Sequence, residues 1–245
     1  MSGWLMVAGL GPGDEDLVTP QVHVALAEAT DIVGYIPYVA RIKPRVGLTL
    51  HATDNRVELD RAGHALALAA GGARVVIVSS GDPGVFAMAS ALFEAIEAAP
   101  QYLDLDISIL PGITAMLAAS AMAGAPLGHD FCAINLSDNL KPWELVERRL
   151  RLAAQADFAM AFYNPRSASR PHQFAHALDV LREECGPDRL IMFARNVTMP
   201  DARINTVTLR AATPEMADMR TVVIVGNSAT KRLGRFIYTP RGVTA

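Results

Sequence analysis

The 245-residue chain is 51% hydrophobic and 19% charged, enough apolar material for one large or two modest domains with a real core and too much for a disordered segment. Its formal net charge of -3 offers no surplus of cations to neutralise a phosphate backbone, which excludes broad nucleic-acid binding and leaves room only for a local basic patch. Cys132 and Cys185 stand far apart with no CxxC or Cys/His spacing, so neither a disulfide framework nor a metal site is expected; with no basic leader and no apolar stretch of membrane-spanning length, the chain reads as cytoplasmic and without membrane contact.

Residues 4–10, WLMVAGL, predict a first strand that ends in the glycines of GLGPGD at residues 9–14. The loop fails as a dinucleotide fingerprint. Its third glycine falls one residue early for GxGxxG, Pro12 disturbs a helix start, and Asp14 would meet a pyrophosphate with like charge. It suits a ligand without phosphates, or simple chain reversal. Thr19 as N-cap and Pro20 at the first helical position predict a helix running to about residue 29. Residues 31–35, DIVGY, predict a second strand, and Tyr35 and Tyr38 at its end are equally suited to interfacial packing and to ligand contact. Arg41, Lys43, Arg45 and Arg56 then form a basic excess, either a solvated face or a rim for an anionic substrate.

An amphipathic segment over residues 55–70, with His64 on its surface, is stopped by Gly71 and Gly72. The β-branched run at residues 75–78, VVIV, predicts a strand buried on both faces, and Ser79-Ser80-Gly81-Asp82-Pro83-Gly84 forces the chain to turn at its carboxyl end. That end is where open α/β sheets bind ligands. An apolar run over 85–96 resembles the helix leading away. Residues 106–110, DISIL, predict another strand, broken by PGITA and followed by a small-residue helix over 116–123. Strand, glycine turn and helix recur three times, the pattern of a parallel sheet whose three glycine loops can meet along one edge.

Composition changes near residue 124, which divides the chain into an expected N-terminal α/β domain of residues 1–124 and a C-terminal α/β domain of residues 125–245. The second half predicts strands at 131–136, 157–163, 190–194, 203–209 and 221–225 and helices ending near 155 and 184. The strand at 203–209 reads as exposed and antiparallel, so this half is α/β with mixed strand directions.

GLGPGD at residues 9–14, SSGDPGVF at 79–86, PGITA at 111–115, FYNP at 162–165 and VIVG at 223–226 resemble, in order and spacing, the tetrapyrrole methylase family. The resemblance covers nearly the whole chain. It implies an S-adenosylmethionine (SAM)-dependent methyltransferase with two α/β domains, a mainly parallel N-terminal sheet, a mixed C-terminal sheet, a cleft between them for cofactor and a small-molecule tetrapyrrole, and a homodimeric assembly. GYIPY at residues 34–38, the long SSGDPGVFAMAS and the LSDxLxPW of residues 136–143 are most similar to members that methylate C17 of precorrin-3B and contract the ring to precorrin-4. The alternatives are a sibling acting at another ring carbon and a non-catalytic SAM- or corrinoid-binding module. By matching position, the resemblance implies cofactor contacts at Pro12, Ser80, Gly81, Asp82, Val85, Thr114, Ala115, Asn164 and Val197. Arg41, Lys43, Arg45, Arg56, Arg166 and Arg170 are candidates for the substrate carboxylates. Asp138, Ser137, Tyr35 and Tyr38 are candidates for proton transfer, with local turn hydrogen bonds or packing as the equally open reading.

Overall fold

The computed structural model describes residues 3–54 and 57–242; the expected helix start at Asn55 and the candidate Arg56 lie outside them. The chain divides into two compact units, the first ending at Thr114 and the second opening at Ala115.

The first unit runs β1 (Trp4–Gly9), α1 (Pro20–Glu28), β2 (Asp31–Tyr35), the short α2 (Ile36–Val39), β3 (Thr49–Thr53), α3 (Glu58–Ala70), β4 (Arg74–Ser79), α4 (Met88–Ala98) and β5 (Asp106–Leu110). Its five strands form one sheet in the order β3-β2-β4-β1-β5, and every pairing is parallel. The VVIV run lies in the central strand. Val75 and Ile77 face a layer that includes Leu66 of α3 and Leu92 of α4, whereas Val76 and Val78 face Val22 and Ala25 of α1. A strand covered on both faces reads as a continuous apolar run, not an alternation. Helix α1 starts as its sequence dictates, with the Thr19 hydroxyl accepting from Val22 N at 3.4 Å and Pro20 at the first position.

Strand β3 escaped prediction because TLHAT is short, pairs only with β2 and is exposed or half-buried along its length. Helix α4 begins later than expected, since the Val85 amide still closes a turn on Asp82 O at 3.2 Å and Phe86 takes φ +54°.

The second unit runs α5 (Ala115–Ala123), β6 (Gly124–Ala125), β7 (Phe131–Asn135), α6 (Trp143–Gln155), β8 (Ala159–Tyr163), α7 (Gln173–Cys185), β9 (Leu190–Arg195), β10 (Arg203–Thr208), β11 (Thr221–Val225), β12 (Lys231–Leu233) and β13 (Phe236–Tyr238). Its main sheet has the order β10-β9-β11-β8-β7. Strands β7 and β8 are parallel, and the other pairings are antiparallel. Because β8 and β9 both oppose β11, β7, β8 and β9 run the same way and deliver their carboxyl ends to one edge. Leu150 of α6 and Phe174, Leu178 and Leu181 of α7 bury fully against Phe162 and Phe193 of the sheet. The pattern is the expected mixed α/β architecture.

The division falls after Thr114 and not after residue 124, because α5 packs against β11, β6 and β13 of the second unit. Strand β6 joins the hairpin of β12 and β13 in a small third sheet. That hairpin went unpredicted because Lys231–Leu233 is exposed throughout and carries no alternation. Among the described residues no helix is long and apolar enough to cross a membrane.

Candidate functional site

The first unit's strand order contains a switch point. From β1 the chain crosses to β2 on one side; from the adjacent β4 it crosses to β5 on the other. A crevice opens at the carboxyl ends of such a pair. The loops leaving β1 and β4 touch through their backbones there: Gly11 N donates to Gly81 O at 3.2 Å and Gly81 N to Gly11 O at 2.9 Å. Both glycines hold left-handed angles, φ +66° and +62°, which a side chain would strain. The loop after β5 joins them. A Cβ on Gly112 would stand 2.2 Å from Gly81 O, and one on Gly9 would stand 2.9 Å from Gly112 Cα.

Asp82 fixes this junction. Its Oδ1 accepts from Gly84 N at 2.8 Å and its Oδ2 from Gly112 N at 3.0 Å, so one carboxylate ties the second glycine loop to the third. Arg41 fastens the first loop by donating from Nη2 to Leu10 O at 2.7 Å and Gly13 O at 3.2 Å. Burial lowers the Arg41 pKa, with Tyr38 and Glu15 opposing. Pro12 on the first loop, Ser80, Gly81 and Asp82 on the second, Val85 at its end and Thr114 after the third thus share one edge of the sheet. Phe86, strained and 47% exposed beside them, closes the SSGDPGVF stretch but was given no role in the sequence reading.

Tyr38 lies beside Ser80 of the central turn and meets Tyr35 edge-on with ring centroids 5.4 Å apart. Burial, with Tyr35 adding to it, holds the Tyr38 phenol above its usual pKa of 10.0, so near neutral pH it is a hydrogen-bond donor and not a base. Close by in the same unit lies Arg61, to which the sequence reading gave no role. It is 3% exposed and donates to Thr53 Oγ1 at 2.8 Å, Asp54 O at 2.7 Å and Met88 Sδ at 3.3 Å. Burial is the main cause of its lowered pKa. The remaining basic candidates here do other work. Arg45 donates to Leu26 O, Ala27 O and Ala29 O at 2.7 to 2.9 Å and so caps α1. Lys43 stands 3.6 Å from Glu15 in an exposed pair, which contributes little.

In the second unit, the carboxyl ends of β7, β8 and β9 carry the other predicted residues. Asn164 takes φ +52° just after β8 and donates from Nδ2 to Asn135 Oδ1 at 3.1 Å. Asn135 Oδ1 also accepts from Ser137 N at 2.9 Å. Val197, 5% exposed, follows β9 between two left-handed residues, Asn196 and Thr198. Ala115 opens α5, where Tyr163 Oη accepts from Met116 N at 3.0 Å and draws the helix start toward the end of β8. Ser137 Oγ accepts from Asn139 N at 3.4 Å, and Asp138 Oδ2 from Gln173 Nε2 at 2.9 Å. Arg170, 5% exposed, donates to Asn164 O at 3.1 Å; Arg166 is turned toward Pro171 O at 3.4 Å. Two further residues were missed although one sits inside the LSDxLxPW stretch. Lys141 donates to Asn135 O at 2.7 Å, and the buried Gln173 Oε1 has no partner among the described residues, an arrangement that costs about 1–3 kcal/mol unless a donor satisfies it.

The sequence pattern of the family described as Tetrapyrrole (Corrin/Porphyrin) Methylases matches residues 5–213, spanning every loop named above. The chain belongs to this family. This tetrapyrrole methylase is 49% identical to the Precorrin-3B C(17)-methyltransferase of Sinorhizobium sp over 98% of its own length and 97% of the relative's. It is 37% identical to the probable cobalt-factor III C(17)-methyltransferase of Salmonella typhimurium, over 98% and 99% of the two chains. Against the Cobalamin biosynthesis protein CobIJ of Mycobacterium tuberculosis it is 42% identical over 94% of its length, spanning 46% of that protein. Among solved structures, the methyltransferase CobJ superposes with TM-score 0.96 at 76% identity, covering 98% of this chain and 100% of that one. A uroporphyrin-III C-methyl transferase from Thermus thermophilus, complexed with S-adenyl homocysteine, shares the fold at TM-score 0.66 and 21% identity, covering 91% and 92%.

Proposed function

We propose that this tetrapyrrole methylase transfers the methyl group of SAM to C17 of precorrin-3B and contracts the macrocycle to precorrin-4, a step of cobalamin biosynthesis. The observation that carries the reading is the end-to-end 49% identity to the Sinorhizobium protein. The chemistry of the first unit's edge supports it. Gly11, Gly81 and Gly112 bring main chain close on three loops, and Ser80 adds a hydroxyl. A phosphate site would gather amides and cations. Here Arg41, engaged with the first glycine loop, is held by loop carbonyls.

SAM supplies a methyl group already activated on a sulfonium. The chain's task is to bind and orient, and correct placement can lower a barrier by about 7–11 kcal/mol. In this reading Pro12, Ser80, Gly81, Val85, Thr114, Ala115, Asn164 and Val197 contact the cofactor, while Asp82 contributes by fixing the loops that hold it. Tyr38, kept neutral by burial, donates a proton or a hydrogen bond at the macrocycle periphery; Tyr35 packs its ring, and Ser137 and Asp138 serve the same proton traffic from the second unit. The assembled state is a cytoplasmic homodimer, tested by light scattering and fractionation.

Incubating the purified protein with precorrin-3B and methyl-labelled SAM tests the reaction. Labelled precorrin-4 is expected, and the absence of any labelled corrinoid overturns the proposal. The 37% identity to the Salmonella protein gives the second reading a definite form: a cobalt-loaded substrate. Supplying metal-free and cobalt-loaded rings side by side separates the two.

A further inference from the structure

Lys141 lies on the loop that leaves β7, beside β8, the parallel pair of the second sheet. The carboxyl ends of parallel strands are where α/β sheets place ligands. Its Nζ carries three donors, one of which goes to Asn135 O at 2.7 Å. Charge around it is unbalanced. Arg149 and Arg170 oppose its protonation, the neighbouring carboxylate is Asp138, and Asp138 is itself engaged by Gln173 Nε2. Among the described residues neither Lys141 nor the exposed Arg149 stands within 4.0 Å of a carboxylate oxygen. Burial and the two arginines lower the Lys141 pKa, a cost that an incoming anion would reverse.

We propose that Lys141, supported by Arg149 and Arg170, anchors a peripheral carboxylate arm of the tetrapyrrole. The proposal rests on the reading that the substrate is a polycarboxylate macrocycle, and it names the residue that recognises that charge. A lysine suits this role because its mobile point charge follows a flexible acetate or propionate arm, whereas the buried Arg170 is pinned to Asn164 O.

The test uses uroporphyrin III, which has eight carboxylates, and its neutral octaamide as probes. Binding is followed by porphyrin fluorescence in the full-length protein. Wild type is expected to favour the acid. K141Q should lose about tenfold or more of acid affinity, the loss of one charge-assisted contact, with unchanged octaamide binding, S-adenosylhomocysteine affinity and Tm. K141R should recover most of the loss. In turnover, K141Q should raise KM for the macrocycle and leave kcat nearly intact. If K141Q fails to fold, R149Q at the exposed neighbour should show a smaller loss of the same kind. Wild-type acid affinity in K141Q, or in R149Q where that variant is the one measured, overturns the proposal. Wild type that binds neither porphyrin overturns the tetrapyrrole reading and this inference with it; wild type that binds both while K141Q matches it sinks the inference alone.

Discussion

Gly112→Ala probes the junction of the three glycine loops with a single methyl group. Gly112 does not adopt a left-handed angle, so alanine can hold its backbone conformation and the whole effect is steric. Its Cβ would stand 2.2 Å from Gly81 O, which is 1.2 Å inside the 3.4 Å edge of ordinary contact, and 2.9 Å from both Cα and O of Gly9. All three obstacles are main chain, so no side-chain rotation relieves them. The third loop must move, and the Gly112 N to Asp82 Oδ2 bond of 3.0 Å goes with it. Overpacking of this kind costs about 1–3 kcal/mol, and the lost bond to a carboxylate about 1.5–3 kcal/mol more. At roughly 2–4 °C per kcal/mol for a chain of this size, Tm should fall on the order of 10 °C. Urea unfolding reads the stability, and calorimetric titration with S-adenosylhomocysteine reads the site, where affinity should drop about tenfold or more. G63A is the control, since a Cβ at Gly63 meets nothing within 4 Å. G112A with wild-type Tm and wild-type affinity would refute the claim that these bends are mutually locked.

Asp82→Ala should cost about 1.5–3 kcal/mol by releasing two backbone amides, and Asp82→Asn less, since one acceptor survives; equal affinity for S-adenosylhomocysteine in all three proteins would rule out a loop-fixing role. The raised Tyr38 pKa means that above pH 10 the folded state holds a proton the unfolded chain has released, so stability declines as pH climbs toward the folded-state value. Tyr38→Phe should flatten that decline in a Tm-against-pH series, and an unaltered slope would contradict the burial argument. Gly63 lies inside α3 with open space where a Cβ would go; Gly63→Ala should stabilise by about 0.5–1 kcal/mol in urea unfolding, and a loss of stability would show hidden crowding.

The parts of this molecule legible in its sequence are those where one local signal suffices. VVIV can only be a strand covered on both faces, and Thr19-Pro20 announces a helix start. The GLGPGD, SGDPG and PGITA turns mark strand ends whose neighbours the fold then brings together. What remained hidden depends on partners distant in sequence. Nothing near Asp82 says that its carboxylate will be consumed by the amides of Gly84 and Gly112. Arg41 and Arg45 look like free cations until loop and helix carbonyls fold onto them. TLHAT alternates polar and apolar residues but is only five residues long with Leu50 and Ala52 as its apolar members, too short a signal until β2 pairs with it. Lys141 was inside a recognised stretch, yet its cationic neighbour Arg170 lies 29 positions further along the chain.

Contact among Gly9, Gly81 and Gly112 makes three segments, each far from the others in sequence, move as a single mechanical element. No one bend can shift without displacing a second. A molecule that orders the turn after β4 therefore also quiets those after β1 and β5, and amide exchange at all three should slow together on ligation, even at positions the bound molecule never touches.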